Sequence, residues 1–254
     1  MIYSIKKKSI VGVVVVLLLI AVCATCMANR DVTAVFNNQS LRKVPVYGVD
    51  TQEKVVALTF DAAWGADKTQ GILDTLEKHS VGGTFFLVGF WIDKYPDMVK
   101  KIAESGCDIG NHSKEHLNMS TLSRDKIISE LDYVSENVKE LTGIQPKFFR
   151  PPFGDYNNTL LEVVEEKNMI GIQWTVDSLD WKGLSATEIL SRVTSGVKNG
   201  SIILFHNNSD NILEALPLVI ANLKNQGYKM VTLSDLVYQD NYTIDGNGIQ
   251  HKNQ

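Results

Sequence analysis

The chain has 254 residues, of which 44% are apolar, so it holds enough material for one core-forming domain and an N-terminal segment. The net charge of −4 at pH 7 argues against a nucleic-acid-binding protein, because such proteins usually carry a basic surface. Cys107 is the one cysteine outside the N-terminal segment, which excludes an internal disulfide in the body of the protein. We therefore expect a domain stabilised by its hydrophobic core alone.

The N-terminal segment has the pattern of a membrane-targeting sequence. Three lysines, Lys6 to Lys8, precede an apolar run over residues 10–28, and this order places the N-terminus inside and the remaining chain outside. The run just reaches the ~17–25 apolar residues that an anchor needs. We predict an uncleaved single-pass anchor with an extracytoplasmic domain. Cleavage as a signal peptide, followed by secretion, is the alternative, because residues 26–28 form a poor but usable site.

The remaining chain divides by composition into three parts. After the anchor or signal segment at 1–29, residues 30–53 are polar and non-periodic, and they predict a linker that contains a short strand at 44–46. Residues 54–238 alternate regularly between strand and helix patterns and predict the domain itself. Residues 239–254 are polar and predict a frayed tail.

Short apolar strands and amphipathic helices alternate through the domain. Strands are predicted at 55–59, 84–88, 108–111, 148–150, 171–176, 201–205 and 230–232. Helices are predicted at 66–78, 96–105, 123–142, 157–167, 186–198 and 211–225. Such alternation is typical of parallel strands covered by outer helices, and seven units favour a closed or nearly closed α/β barrel.

Two histidines follow the third predicted strand at ligand spacing. His112 and His116 are four residues apart, so a helical turn would place both imidazoles on one face, within reach of one metal ion. Neutral imidazole suits zinc, cobalt or nickel. The alternative interpretation is a pair of solvated loop histidines. Asn111 and Ser113 are polar neighbours that could orient the rings.

Other polar residues also end predicted strands, where an active site of a βα protein forms. Asp61 ends the first core strand and could act as general base to a metal-bound water. Arg150, stiffened by two following prolines, could hold Asp61 ionised, although a purely structural ion pair has the same sequence pattern.

A histidine after an apolar strand completes the set. His206 is either a core residue with its hydrogen bonds satisfied or a catalytic acid, and Asp180 could orient and charge it. Trp181 could form an apolar wall for a sugar or acyl group, or simply pack in the core.

In this order the motifs resemble the polysaccharide deacetylases with a NodB-homology domain, carbohydrate esterase family four. The resemblance covers about residues 54–238 and is strongest to the branch related to bacterial sporulation deacetylases, which often carry an N-terminal anchor. It implies a distorted (β/α) barrel of about seven strands and hydrolysis of N-acetyl groups on amino sugars of a cell-wall polysaccharide, peptidoglycan. The partners it implies are the glycan and the membrane.

The resemblance also implies roles for individual residues. The family's Thr-Phe-Asp-Asp motif stands here at residues 59–62 and makes Asp61 the general base, while Leu204-Phe205-His206 makes His206 the general acid. His112 and His116 correspond to the metal ligands. Residues 150–153 match Arg-x-Pro-Tyr with Phe153 for tyrosine, whose backbone N–H the family uses to hold the oxyanion. Asp180 and Trp181 match the family's Asp-Trp.

One position departs from the family pattern. The second aspartate of the first motif is the family's third metal ligand, and here it is Ala62, which has no donor atom. The first reading is a deacetylase with a weakly bound divalent metal, zinc being expected and cobalt or nickel the alternatives. The second is a catalytically impaired, membrane-tethered domain that binds cell-wall glycan. Retention of Asp61, Arg150, Asp180 and His206 favours the enzyme.

Overall fold

The computed structural model of the protein describes residues 17–18 and 42–253. Leu17 and Leu18 are helical, and a separate compact unit begins at Lys43. No helix among the described residues is long and apolar enough to span a lipid bilayer. Apart from these two leucines, the predicted anchor and the first part of the predicted linker lie outside the described residues.

The main sheet consists of eight parallel strands: β2 Val55–Ala62, β3 Thr84–Leu87, β4 Asp108–Asn111, β5 Phe148–Phe149, β6 Ile170–Gly171, β7 Val176–Asp177, β8 Ile202–His206 and β9 Lys229–Val231. Seven of them form a curled sheet in the order β6-β5-β4-β3-β2-β8-β7, and β9 pairs with the beginning of β2. A second, three-stranded sheet has the order β1-β11-β10 and consists of β1 Gly48–Val49, β10 Tyr242–Ile244 and β11 Ile249–Lys252.

Eight helices connect these strands in the described part of the compact unit. They are α1 Thr69–His79, α2 Gly89–Lys94, α3 Pro96–Glu104, α4 Arg124–Thr142, α5 Asn158–Glu166, α6 Ala186–Gly196, α7 Ile212–Asn225 and α8 Leu233–Leu236. Several begin at side-chain caps, such as Ser185, whose hydroxyl and Glu188 form a capping box at the start of α6. Gly143, with φ 76°, ends α4 in the left-handed conformation that glycine adopts without strain.

The core lies between β2 and its neighbouring strands on one side and the helices on the other. Six of the eight residues of β2 are 0% exposed or nearly so, because the strand lies in the middle of the sheet and is covered on both faces. Phe60 stacks between Phe85 at 4.9 Å and Phe205 at 5.7 Å, which fixes three central strands relative to one another. This packing determines where the polar ends of β2 and β8 lie.

The prediction of parallel α/β architecture is confirmed, and the structure differs from it in the closure of the barrel. The predicted strand at 171–176 divides into β6 and β7, which form the two opposite edges of the sheet. Between them Ile172 pairs with Val46, and the Thr175 N–H donates to the Ile202 carbonyl. The chain itself therefore crosses the gap, and the sheet is a curled half-barrel.

The C-terminal residues are ordered, whereas the sequence predicts a frayed tail at 239–254. Strands β10 and β11 pair with each other, and β11 pairs in parallel with β1, which lies inside the predicted linker. Gln250 is buried, and its side-chain amide exchanges two hydrogen bonds with the backbone of Tyr238. The sequence does contain a hairpin signal here, because the turn residues 245–248, Asp-Gly-Asn-Gly, follow the alternating Tyr242, Thr243 and Ile244. The overall polarity of residues 239–254 hides this signal.

Candidate active site

A cavity of about 630 Å³ opens at the carboxyl ends of the central strands. Its lining includes nearly all of the residues that the sequence predicts to be functional: Asp61, His112, His116, Phe153, Asp180, Trp181 and His206. Arg150 lies beneath them, fully buried. A larger cleft of about 810 Å³ beside α1 and α3 has none of these residues, so we place the functional site in the smaller cavity.

Asp61 and Arg150 form a buried ion pair at the floor of the cavity. Arg150 Nη1 donates to Asp61 Oδ1 at 2.8 Å, and Nη2 donates to Thr59 Oγ1 at 2.9 Å and to the Gln173 carbonyl at 3.2 Å. The guanidinium also lies over the Phe86 ring at 4.2 Å. These contacts leave Asp61 Oδ2 as the carboxylate oxygen that does not bond to Arg150.

His112 is buried next to this ion pair with a defined tautomer. Its Nδ1 lies 2.7 Å from the carbonyl oxygen of Arg150, and because a carbonyl only accepts, Nδ1 carries the proton. Nε2 then presents a lone pair to Asp61 Oδ2 at 3.5 Å. Two acceptor atoms facing each other repel, so this arrangement suits a cation between or beside them.

His116 lies on a tight loop that is anchored to α4. The His116 N–H donates to Ser113 Oγ at 3.0 Å, and both residues have positive φ, 53° and 67°. The Glu115 N–H donates to the carboxylate of Glu130, which is fully buried on α4 and paired with Lys126 at 2.7 Å. A non-glycine backbone in this conformation is strained and persists when the surrounding contacts hold it.

His206 and Asp180 form the second charged pair of the cavity. His206 Nδ1 lies 2.8 Å from Asp180 Oδ1, and the His206 N–H donates to Asp180 Oδ2 at 2.9 Å. The carboxylate therefore orients both ring and backbone and leaves Nε2 as the other ring nitrogen. Because β2 and β8 pair in register, Asp61 and His206 are direct neighbours across the sheet.

Burial and charge shift the pKa values of these groups in opposite directions. Burial alone would raise the pKa of Asp61, but the charge of Arg150 and its hydrogen bond to the carboxylate outweigh burial and lower that pKa. Burial alone would lower the pKa of His206, but the hydrogen bond and charge of Asp180 raise it. At neutral pH Asp61 is ionised, and His206 holds its proton better than an exposed histidine.

The two other histidines of the cavity, His112 and His116, are held neutral. Burial lowers the pKa of His112, although the Asp61 charge opposes this. Burial, with the neighbouring His112, lowers the pKa of His116 to about 4. Neutral imidazoles are the form that ligates metals, so both residues are suited to bind a divalent transition metal.

The predicted third ligand position supplies no donor atom. Ala62 is fully buried, and the adjacent Ala63, which also has no donor atom, lines the cavity. Within the described residues, no group of three or more His, Cys, Asp or Glu side chains is arranged to hold a metal ion. The chemistry of the two imidazoles fits a metal, and the number of protein ligands falls one short of a typical catalytic zinc site.

Phe153 and Trp181 lie at the mouth of the cavity with their side chains mostly exposed, 70% and 58%. The exposure of Trp181 excludes the core-packing alternative. Phe153 has φ 60° in a short turn after Arg150, and its ring contacts the His116 ring edge-on at 4.7 Å. Both residues can thus contact a substrate at the cavity opening.

Three residues of the site escaped the sequence analysis. Glu130 looks like one half of a surface ion pair, because Lys126 is four residues before it on α4. Asn207 is buried, and its backbone N–H donates to the Asp61 carbonyl. Trp64 lines the cavity and contacts His116. Asn207 and Trp64 are each within three residues of a predicted site residue, which is the signal that could have found them.

Comparison with known proteins identifies the family. The sequence profile of the family described as polysaccharide deacetylase matches residues 48–171. A peptidoglycan-N-acetylglucosamine deacetylase of Bacillus cereus is 39% identical over 185 residues, which cover 71% of this chain and 67% of that protein. An uncharacterised Bacillus subtilis protein, YlxY, is 36% identical over 199 residues; the match covers 78% of this chain and 62% of that protein's length.

Solved structures agree with this assignment. A carbohydrate esterase family four pseudoenzyme from Bacillus anthracis matches with a TM-score of 0.75 and 32% identity, covering 85% of this chain and 75% of that one. A mutant of the same pseudoenzyme, with restored enzymatic activity, matches with a TM-score of 0.75 and 35% identity, covering 79% and 74%. This chain belongs to the polysaccharide deacetylase family, carbohydrate esterase family four.

The buried ion pair generates a prediction about stability and its pH dependence. Arg150→Met should destabilise the fold by about 3–5 kcal/mol at pH 7, because it leaves the Asp61 carboxylate buried without its partner. In the wild type the lowered pKa of Asp61 contributes stability that is present above its unfolded pKa and lost as pH falls through the folded one. The variant should therefore differ from the wild type most at neutral pH, and the difference should be smallest once the pH has fallen below the lowered pKa of Asp61 in the folded wild type.

Urea unfolding at several pH values measures this difference. The matched control is Arg124→Met, because Arg124 pairs with Glu166 at the surface and such pairs contribute only about 0–1 kcal/mol. Equal effects of the two substitutions at pH 7 would contradict the assignment of a buried charge pair.

Proposed function

We propose that the protein hydrolyses N-acetyl groups from amino sugars of a cell-wall polysaccharide, with peptidoglycan as the expected polymer. The observation that carries this proposal is the pairing of Asp61 and His206. They are neighbours in register on β2 and β8, they line one cavity, and their pKa values are shifted in opposite directions. Two titratable groups tuned apart in this way are suited to act as base and acid. The named activity of the Bacillus cereus relative supports the substrate class.

In this mechanism Asp61 acts as general base. Its Oδ2 accepts a proton from water as the water oxygen attacks the carbonyl carbon of the acetamide. The Arg150 contact on Oδ1 keeps the carboxylate ionised and oriented, at the expense of some basicity. The resemblance assigns the oxyanion donor to the backbone N–H of Phe153, and Phe153 lines the cavity.

His206 acts as general acid in the second half of the reaction. Its Nδ1 is bound to Asp180, so the proton on Nε2 is the one available to the sugar nitrogen. When the carbon–nitrogen bond breaks, this proton passes to the nitrogen, and acetate and a free amino sugar are released. Asp180 stabilises the charged imidazolium before that transfer and fixes the ring for it.

His112 and His116 are the residues that would hold a divalent metal, with zinc expected and cobalt or nickel as alternatives. Their neutral imidazoles and the lone pair of His112 Nε2 beside Asp61 fit such an ion. When bound, a metal would lower the pKa of water and polarise the acetamide carbonyl. Because Ala62 supplies no ligand, we expect weaker affinity than a three-ligand site has.

A second candidate function is a catalytically impaired glycan-binding domain. Two observations favour it: the missing ligand at Ala62 and the similarity to a Bacillus anthracis pseudoenzyme of the same family. Such a domain has no use for a base and an acid with tuned pKa values, whereas this cavity keeps both with their partners. The hydrolase is therefore the function that the geometry supports better.

For the whole chain we propose a membrane-tethered protein. Residues 1–29 would form the anchor, followed by a linker and an extracytoplasmic catalytic domain, with a role in sporulation expected from the resemblance. An extracytoplasmic domain would lie next to its cell-wall substrate.

The catalytic roles predict losses of activity and a change in the pH profile. Asp61→Asn and His206→Ala should each lower kcat for acetate release by about 10²–10⁴-fold, since each removes a proton-transfer group. In the wild type kcat/KM should fall on the alkaline side as His206 loses its proton, above its ordinary pKa of 6.5. Asp180→Asn should move that alkaline limb to lower pH.

Acetate release from chitin oligomers and peptidoglycan fragments is the measurement. Asp210→Asn is the control, because Asp210 lines the same cavity and pairs with Lys68 at the surface. Wild-type rates in both Asp61→Asn and His206→Ala would refute the mechanism, and a soluble domain that binds glycan without releasing acetate would support the second candidate.

The missing ligand predicts a gain of metal affinity on substitution. Ala62→Asp should tighten zinc or cobalt binding on the order of tenfold or more, since even outer-shell changes shift affinity ~10–100-fold. Without metal it should lower stability, because a carboxylate replaces a methyl group at a fully buried position. Added metal should therefore raise the melting temperature of Ala62→Asp more than that of the wild type.

Titration calorimetry and thermal unfolding with and without zinc test this expectation. His116→Ala, alone and combined with Ala62→Asp, is the control and should abolish the affinity in both backgrounds. Identical metal affinity in the wild type and all three variants would show that these residues are not ligands.

The proposed topology predicts that the C-terminus lies outside the cytoplasm. A phosphatase reporter that is active only after export, fused after Gln254, should be active in cells. A reporter active only in the cytoplasm should be silent at the same position, and its activity there would contradict the topology.

A further inference from the structure

The opening of the cavity carries an unusual concentration of exposed aromatic side chains. Among the described residues, the large aromatic side chains that are exposed are Trp64 at 57%, Phe153 at 70% and Trp181 at 58%, and all three line this one cavity. Exposed apolar surface gathered at one place marks a binding site. Phe153 and Trp181 belong to motifs already discussed, whereas Trp64 has no role in the proposed reaction.

The backbone beside Trp64 is held rigidly although its indole is exposed. Gly65 has φ 66°, and its carbonyl accepts hydrogen bonds from Trp91 Nε1 at 2.6 Å and from Asn207 Nδ2 at 2.9 Å. Trp91 and Asn207 are both fully buried, so the turn is fixed to α2 and to the end of β8. A side chain on such a turn loses little freedom when a ligand binds, which favours affinity.

Trp64 and Trp181 are attached to different halves of the reacting centre. The Trp64 ring meets the His116 ring edge-on at 5.1 Å. Trp181 directly follows Asp180, whose carboxylate binds His206. One exposed indole therefore stands beside a proposed metal ligand and the other beside the proposed acid, with the reacting acetamide expected between them.

A sugar polymer is the ligand whose chemistry fits this arrangement. One face of a pyranose ring presents C–H groups and packs against an aromatic face, while its hydroxyl groups stay in water, and tryptophan offers the largest such surface. A single sugar at the reacting centre leaves the second indole free, whereas the next sugar along a chain can cover it.

We propose that Trp64 is a specificity-determining residue that stacks on the sugar next to the one being deacetylated, on the His116 side. It makes the site prefer a chain of N-acetylated sugars over a single one. This inference rests on the proposed function for the identity of the ligand. The inference concerns binding of the sugar chain, so it does not depend on whether the protein hydrolyses that chain's acetamide groups.

Binding as a function of chain length tests the proposal. Titration calorimetry would use the compact unit, residues 43–254, with chitin oligomers of one, two and four N-acetylglucosamine units. It would carry Asp61→Asn to prevent turnover, and thermal unfolding would first establish a temperature at which this variant is folded. Adding Trp64→Ala should weaken tetramer binding by about 5- to 100-fold, the same order as the loss when an aromatic residue that stacks on a nucleobase is replaced by alanine. Affinity for the single sugar should change less than about twofold, and Trp64→Phe should retain most of the tetramer affinity.

The control is Leu218→Ala, which removes an exposed apolar side chain on α7 that is not part of the cavity. An equal loss for one, two and four sugars would overturn the proposal, because Trp64 would then act on the sugar at the reacting centre, directly or through His116. No loss for the tetramer, or no chain-length preference in the parent protein, would overturn it as well. Acetate release by the protein with Asp61 intact is measured separately. Tetramer binding that depends on Trp64 without acetate release would reject the deacetylase and leave this inference standing.

Discussion

The site depends on one buried ion pair, between Arg150 at the end of β5 and Asp61 at the end of β2. Removing both charges from water is costly, and a buried pair often contributes no more stability than apolar residues of similar size. The structure offsets this cost with further contacts to the guanidinium, from Thr59, the Gln173 carbonyl and the Phe86 ring. A pair so expensive and so well supported is better explained by the chemistry of Asp61 than by stability.

The second charged pair is linked to the first through the sheet. The in-register pairing of β2 with β8 places His206 beside Asp61, and the Asn207 N–H bonds to the Asp61 carbonyl. Asp180 approaches from the turn after β7 and raises the pKa of His206, whereas Arg150 lowers that of Asp61. The two pKa values thus diverge because each group has its own buried partner on a different strand end. Packing of Phe60 between Phe85 and Phe205 keeps these strand ends in place.

Sequence reasoning located the strand ends because apolar strands and polar termini differ sharply in composition. Asp61, His112, Arg150 and His206 were found in this way, and the structure brings them together. Glu130 was not found, since burial of a helix carboxylate depends on the loop at 113–116 that folds over it. The hairpin of β10 and β11 has a turn signal at residues 245–248, but it lies in a polar segment, and the buried Gln250 that fastens it depends on hydrogen bonds to Tyr238. Contacts between separate segments of the chain, rather than local periodicity, determine both the burial of Glu130 and the position of the β10–β11 hairpin.

At Ala62 the site lacks one metal ligand, whereas its charged groups, Asp61 with Arg150 and His206 with Asp180, are all present. Loss of catalysis removes the reason to keep costly features, so they should disappear first from a domain that only binds. Here the buried Arg150 remains, and Ser113, His116 and Phe153 keep strained positive-φ conformations around the cavity. A mutant of the Bacillus anthracis pseudoenzyme has restored enzymatic activity, so the inactive state of that protein is reversible. In this chain Asp61 keeps its contact with Arg150 and His206 keeps its contact with Asp180, so the proposed hydrolase and the glycan-binding alternative differ in the metal ligands alone.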